Sequence, residues 1–479
     1  MIFNSFQFLY FFIIVFLLYW NFFNKTIKLR NIFLLFSNCF FYAWWNWKFL
    51  FLLILNIVLV YVLGIKIEKA KNEKLKKIFL TIGLAQGLGT LFYCKYFNFF
   101  ISSFIDVFGL KDNLPWTPLN IILPLGISFY TFRSIGYLLD VYNEKIEPEK
   151  NILIFANFVS FFPTIISGPI DKANKLIPQL KHISTFNYEL AVKGTKQILW
   201  GLFKKMVIAD GCSDYVNIVF NNSASLPSSS LWIGLFYYTI QIYMDFSGYS
   251  DIAIGVSKLL GFRVARNFNY PYFSQNIADY WKRWHISLTS WLTEYIFTPI
   301  SIELRDWGNK AVILGIILTF LSSGLWHGAN WTFVLWGLLN GLYFIPLIIA
   351  GKMNKKKKFN SNNFFPTPKE FFSMLSTFLL VMITNVFFRA DSVKLAFVYL
   401  KGLFSYSIFK YPTTGFDFLM LFLILITMIF EWSQKDKEFA LESLNIKYKP
   451  IRWGIYMILF FSLFQFFDQP EREFIYFKF

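Results

Sequence analysis

Residues 279–295 read DYWKRWHISLTSWLTEY. At helical spacing Trp281, Trp284, His285, Leu288, Trp291, Leu292 and Tyr295 fall on one face. Lys282, Arg283, Ser287, Ser290 and Glu294 fall on the other. A 3.6-residue period of this kind predicts one helix through the stretch. Its apolar side is unusual, because tryptophans flank a histidine. The sequence holds only 3 histidines, and a second has a like setting at Gly324-Leu325-Trp326-His327-Gly328. An imidazole among aromatics has two readings: a packed side chain that bonds a backbone carbonyl, or a functional group.

Around this stretch the chain reads as an all-α polytopic membrane protein. Of 479 residues, 56% are hydrophobic, 22% aromatic and 15% charged, where a soluble domain carries about 25% charged. The formal charge of +18 does not indicate nucleic acid, since much of the lysine lies in short loops between apolar runs, as the positive-inside rule places it. Such a basic face also attracts a polyanion such as a coenzyme A thioester. Cys39, Cys94 and Cys212 are scattered, show no metal spacing and read as packed thiols. Residues 6–23 lack a basic n-region and a cleavage site, so they read as a retained span rather than a signal peptide.

Outward from the opening stretch, spans are predicted near residues 6–23, 31–46, 48–65, 78–97, 124–142, 152–170, 231–246, 311–325, 331–349, 371–388, 415–432 and 452–467. By length and hydropathy the bundle has roughly eleven transmembrane helices. Residues 66–77 and 352–358 are lysine-rich and read as cytoplasmic loops. Residues 101–110 and 199–209 read as interfacial, the latter because Lys204 and Lys205 interrupt it. Arg133 and Asp140 lie inside a span and so face protein or a cavity. His182 falls in a polar loop and reads as solvated. In residues 245–251, DFSGYSD, two carboxylates beside a glycine predict a broken or re-entrant helix. No internal repeat is visible, against an inverted-repeat transporter, and the polar intervals are too short for a soluble domain. The whole chain, 1–479, reads as one integral-membrane domain with an aromatic tail at 470–479.

Gly-rich phosphate loops, His-Glu-x-x-His and Gly-x-Ser-x-Gly are missing from the sequence. Two aromatic-flanked histidines with intramembrane Asp245, Asp251 and Arg283 suit proton abstraction from a hydroxyl by a neutral imidazole. They suit a proton-coupled transporter equally well, and periodicity does not separate the two.

Three runs carry a resemblance: QIYMDFSGYSD at 241–251, YWKRWHISL at 280–288 and GLWHGA at 324–329. Together they resemble the membrane-bound O-acyltransferase (MBOAT) family, and within it the bacterial branch that acetylates alginate and peptidoglycan. Residues 123–142, 167–169, 201–210 and 386–392 extend the likeness nearly end to end. The resemblance implies a ring of helices around a tunnel, with His327 where it narrows and His285 as the second signature histidine. It implies acetyl-CoA as donor substrate with no bound cofactor, a polysaccharide acceptor, a periplasmic SGNH-type transferase as partner, and a bacterial inner-membrane location. His327 would take the proton from the attacking hydroxyl. His285 would hold the thioester or the oxyanion, or simply pack. Lys282 and Arg283 would meet donor phosphates or anchor at the interface, with Trp284 and Trp326 lining the substrate path. Asp245 and Asp251 would orient a histidine or hold an arginine. The terminus, FIYFKF at 474–479, resembles an acyl-accepting tail whose hydroxyl is that of Tyr476; read without the family, it is an interfacial aromatic anchor. Two departures stand out. Residues 298–306 (TPISIELRD) replace the family's Gly-Gly-Asn-Arg-like segment, and Lys282 replaces an arginine, keeping charge without bidentate geometry. Transfer of D-alanyl or another acyl group to an envelope polymer, and proton-coupled transport, are the alternatives.

Overall fold

A computed structural model describes residues 1–110, 116–353, 364–412, 417–444, 448–467 and 472–475. Among these residues every regular element is helical. Short polar side chains begin the helices: Ser5, Thr26, Asn46 and Asn72 each accept from a first-turn backbone N–H that has no partner within its helix.

The chain divides into two compact units. The first comprises Met1–Gly194 and Ala253–Ala265. It contains α1 (Phe6–Leu18), α2 (Ile27–Ala43), α3 (Trp47–Lys69), α4 (Glu73–Leu91), α5 (Phe97–Val107), α6 (Ile127–Tyr142), α7 (Ile152–Ser160), α8 (Ala173–Lys181) and the start of α9 (Tyr188–Leu202). Glycines on α3 and α4 bring α6 close. A methyl at Gly83 would lie 2.3 Å from Leu138, and one at Gly64 3.0 Å from Tyr137. Polar pairs bind the same three helices in an apolar setting, where small residues and hydrogen bonds hold helices together. The Ser134 hydroxyl donates to Asn56 at 2.7 Å, and the Asn56 amide donates to Gln86 at 3.3 Å. Arg133 faces protein as expected, donating to the carbonyls of Phe158 and Val159 and to the Thr164 hydroxyl. The span expected over 152–170 ends at Ser160, and 173–181 is helical rather than loop. His182 is exposed, with its carbonyl accepting from Arg30. Residues 101–110 are no separate interfacial piece, since an apolar helical run continues from Glu73 to Val107.

The second unit comprises Thr195–Ile252 and Arg266–Phe479. A π-helical turn (Phe203–Ala209) leads into α10 (Asp210–Asn221), followed by α11 (Ser228–Leu259), α12 (Ile277–Trp281), α13 (Ile286–Leu292) and α14 (Thr298–Glu303). Then come α15 (Asn309–His327), α16 (Trp331–Leu342), α17 (Ile345–Ile349), α18 (Pro368–Arg389), α19 (Val393–Leu403), α20 (Phe418–Ser433) and α21 (Lys449–Phe467). Helices α15 and α16 cross with backbones nearly touching. A methyl at Gly324 would sit 2.3 Å from the Phe333 carbonyl oxygen, and one at Gly337 2.3 Å from that of Phe320. Gly324→Ala must therefore push the pair apart. We expect a loss of about 1–3 kcal/mol, the usual cost of overpacking, visible as a lower Tm in detergent.

Of three sequence expectations, the first is met only in part and the other two are corrected. Six helical segments of the described residues are long and apolar enough to cross a membrane: Phe6–Phe23, Trp47–Lys69, Glu73–Val107, Asn309–His327, Trp331–Ile349 and Pro368–Arg389. The expected count of eleven included shorter helices such as α6 and α7. The chain is a multi-pass membrane protein on these six. Second, α11 runs unbroken through residues 245–251. Gly248 is there for close approach rather than for a break, as a methyl on it would lie 2.7 Å from the Gly201 carbonyl oxygen. Third, the turn Phe203–Ala209 is buried rather than interfacial, and so are Lys204 and Lys205.

Candidate active site

The helix predicted over 279–295 is broken at its histidine. His285 has φ 44° and ψ 52°, in the left-handed region, between α12 and α13. The segment before α12 imposes this shape. The Asn269 N–H donates to the Arg283 carbonyl at 2.9 Å, and the Ile286 N–H donates to the Asn267 carbonyl at 2.8 Å. Ser287 donates to the Asn267 side chain at 2.6 Å, and that side chain donates to Ser250 on α11 at 3.1 Å. One buried asparagine thus fixes the start of α13 and ties it to α11.

His285 is 1% exposed and His327 is 2% exposed. The Phe246 ring meets the His285 imidazole edge-on at 4.7 Å between centroids. Trp326 lies between the two histidines, with its ring 5.8 Å from His285 and 4.8 Å from His327. Trp336 and Phe388 complete the wall around His327, each at 5.1 Å. His327 closes α15 immediately before Gly328, and Asn330 caps α16 just beyond while donating to the Asp391 carbonyl at 2.9 Å. The second histidine is therefore fixed by a helix end, the Gly324–Gly337 crossing and three aromatic rings. Both imidazoles line one cavity of about 220 Å³, along with Trp281, Lys282, Trp284, Thr319 and Ser323. His285 lies outside the six long apolar helices, and its burial pushes the imidazole pKa down to about 3. At neutral pH that ring is uncharged, with one donor and one acceptor nitrogen.

The other sequence candidates separate into three places. Lys282, Trp284 and both histidines meet at the cavity. Arg283 beside it is engaged locally, its Nε 3.0 Å from Asp279 and its Nη1 donating to the Asn269 carbonyl at 3.4 Å. Asp245 and Asp251 lie on α11 in a second cluster, and the groups that hold them are lysines rather than a histidine or arginine. Lys205 Nζ lies 2.8 Å from Asp245 and 2.9 Å from Asp210. Lys204 Nζ lies 2.6 Å from Asp251 and donates to Ser247 at 2.9 Å. Gln197 donates to the other Asp251 oxygen, and Tyr243 donates to buried Glu431 at 2.9 Å. Tyr476 lies outside the described residues. Sequence reasoning read Lys204 and Lys205 as interfacial and gave Glu431 no role; the signal available was a Lys-Lys pair inside the apolar run GLFKKMVIA.

Six apolar helices, a buried pair of aromatic-flanked histidines and a cavity lined by both describe a membrane protein with a buried site, and the family match makes it an acyltransferase: the chain belongs to the MBOAT, membrane-bound O-acyltransferase family, whose model matches residues 146–388. Over 416 residues it is 36% identical to the probable alginate O-acetylase AlgI of Azotobacter vinelandii, covering 85% of this chain and 78% of that protein. It is 35% identical over 407 residues to the peptidoglycan O-acetyltransferase of Helicobacter pylori, covering 78% and 73%. A teichoic acid D-alanyltransferase of Bacillus subtilis is 30% identical over 260 residues, covering 52% and 65%.

Proposed function

We propose that this acyltransferase moves acetyl from cytoplasmic acetyl-CoA across the bacterial inner membrane for O-acetylation of an exported polysaccharide, with peptidoglycan ahead of an alginate-like polymer. The observation that carries the chemistry is the pair of imidazoles on one cavity, joined through Trp326. The likeness to two O-acetylating proteins over most of the chain supports the choice of acetyl. His327 takes the proton as a hydroxyl oxygen attacks the thioester carbonyl. The His285 N–H donates to the oxygen on which negative charge develops. Collapse breaks the carbon–sulfur bond and His327 returns the proton to the departing sulfur, giving an oxygen ester and free coenzyme A thiol. Lys282, at the cavity edge, meets the donor's phosphates as a point charge.

The attacking hydroxyl in this reading is that of Tyr476. The tyrosyl ester then hands acetyl to a periplasmic SGNH-type transferase, which splits one transfer across the membrane into two. D-alanyl transfer is the second reading, supported by the Bacillus subtilis relative over half of this chain.

Isotope-labelled acetyl-CoA, followed by mass spectrometry of peptides from the protein in detergent, tests both. We expect label on Tyr476 in the wild type and none at that position in Tyr476→Phe. Label on another residue removes the tyrosine relay. A wild type that takes no label and consumes no acetyl-CoA, with its partner supplied, removes acetyl as the cargo.

A further inference from the structure

Beyond the cavity, the buried cluster around Lys205 also contacts a segment far along the chain. Residues 472–475 sit on it. The Ile475 N–H donates to Asp245 Oδ2 at 2.9 Å, and Lys205 Nζ donates to the Glu473 carbonyl at 3.3 Å. The Phe474 ring is 1% exposed, with Lys205 Nζ over it at 4.4 Å and Tyr249 edge-on at 4.8 Å. Arg472 donates to the Asp210 carbonyl at 2.8 Å and pairs with Asp214 at 3.0 Å. Lys205, Asp245, Asp210 and Tyr249 thus meet four consecutive residues through main chain, charge and ring. So short a segment, without a helix or strand of its own among the described residues, is ordinarily loose.

We propose that the Asp210–Lys205–Asp245 cluster is a seat for residues 472–475, and that it positions Tyr476, the next residue, for acylation. The second half rests on the relay reading above. Asp245 links the two places physically, because it bonds the Ile475 main chain while its neighbour Phe246 packs on His285. The lysine recognises the segment twice, through a carbonyl lone pair and through an aromatic face, and a cation buried beside a ring is a favourable contact. Lys205, Asp245 and Asp210 are therefore positioning residues, and none is assigned contact with the reacting atoms.

The test uses the full chain in detergent and the variant Phe474→Ala, which leaves the cluster itself intact. Trypsin cuts after Arg472 only when the segment lifts off. Cleavage then reports the lifted population, and losing a buried phenyl ring should speed it by about 30-fold. Equal cleavage rates in wild type and variant overturn the seat. The second readout is labelled acetyl on Tyr476. With the segment loosened we expect the rate of labelling to fall while KM for acetyl-CoA and the Tm in detergent stay put, which separates a positioning loss from general destabilisation. Undiminished labelling on a loosened segment overturns the positioning role. A protected wild-type segment that never takes label upholds the seat and removes the relay, so the two failures are distinguishable.

Discussion

His327→Ala is expected to abolish measurable acyl transfer while leaving a folded protein. A positioned general base contributes about 10²–10⁴-fold, and the rings of Trp326, Trp336 and Phe388 packed around His327 offer no basic nitrogen to take over the proton. Loss of the ring also leaves a small void beside these aromatics, at about 1–3 kcal/mol, so thermal unfolding must be followed alongside the rate. Transfer from labelled acetyl-CoA is the measurement. A variant that retains more than about a tenth of the wild-type rate would place the base elsewhere. His327→Gln, which keeps bulk and hydrogen bonding without a basic nitrogen, should be as inactive and nearer the wild type in stability.

The second large effect is on folding. Lys205 is 1% exposed between two carboxylates, and Asp245 is 2% exposed. Lys205→Met keeps most of the volume and removes the charge, stranding Asp245 and Asp210 in an apolar surround. Breaking a buried ion pair on one side costs about 3–5 kcal/mol, enough to empty the membrane fraction of folded protein or to drop its Tm sharply. Adding Asp245→Asn to Lys205→Met should recover part of that loss, because the stranded charge goes with it. A Lys205→Met protein as stable as the wild type would mean that the cluster is not held by charge.

Much of this molecule is legible in its sequence, for definable reasons. Apolar length and aromatic content declare the membrane, since no soluble fold tolerates either. The Trp-His pairs mark the cavity that both imidazoles line, since an imidazole among indoles stands out from the apolar background. Chain topology is what concealed the rest. Apolar spacing continues through residues 279–295 without a fault, and the turn at His285 is dictated by Asn267, in a segment that no periodicity connects to it. Likewise Asp245 and Asp251 read as lone carboxylates near a glycine, when the groups that neutralise them arrive on a π-helical turn from earlier in the chain. The glycine that suggested a broken helix instead admits that turn.

The left-handed backbone at His285 has a consequence for how this site can change over time. One residue there sets the turn and, in the proposed mechanism, also donates to the developing oxyanion. Among non-glycine residues, asparagine and aspartate visit that conformation most readily, and other side chains pay for it in strain. Any drift at this position must therefore satisfy the main chain first and the chemistry second. Loss of the imidazole leads most easily to asparagine, a residue that preserves the turn and keeps a hydrogen-bonding head. The site can then fall silent without the fold around it coming apart, and a relative with asparagine here would be a scaffold that kept its shape after losing half of its chemistry.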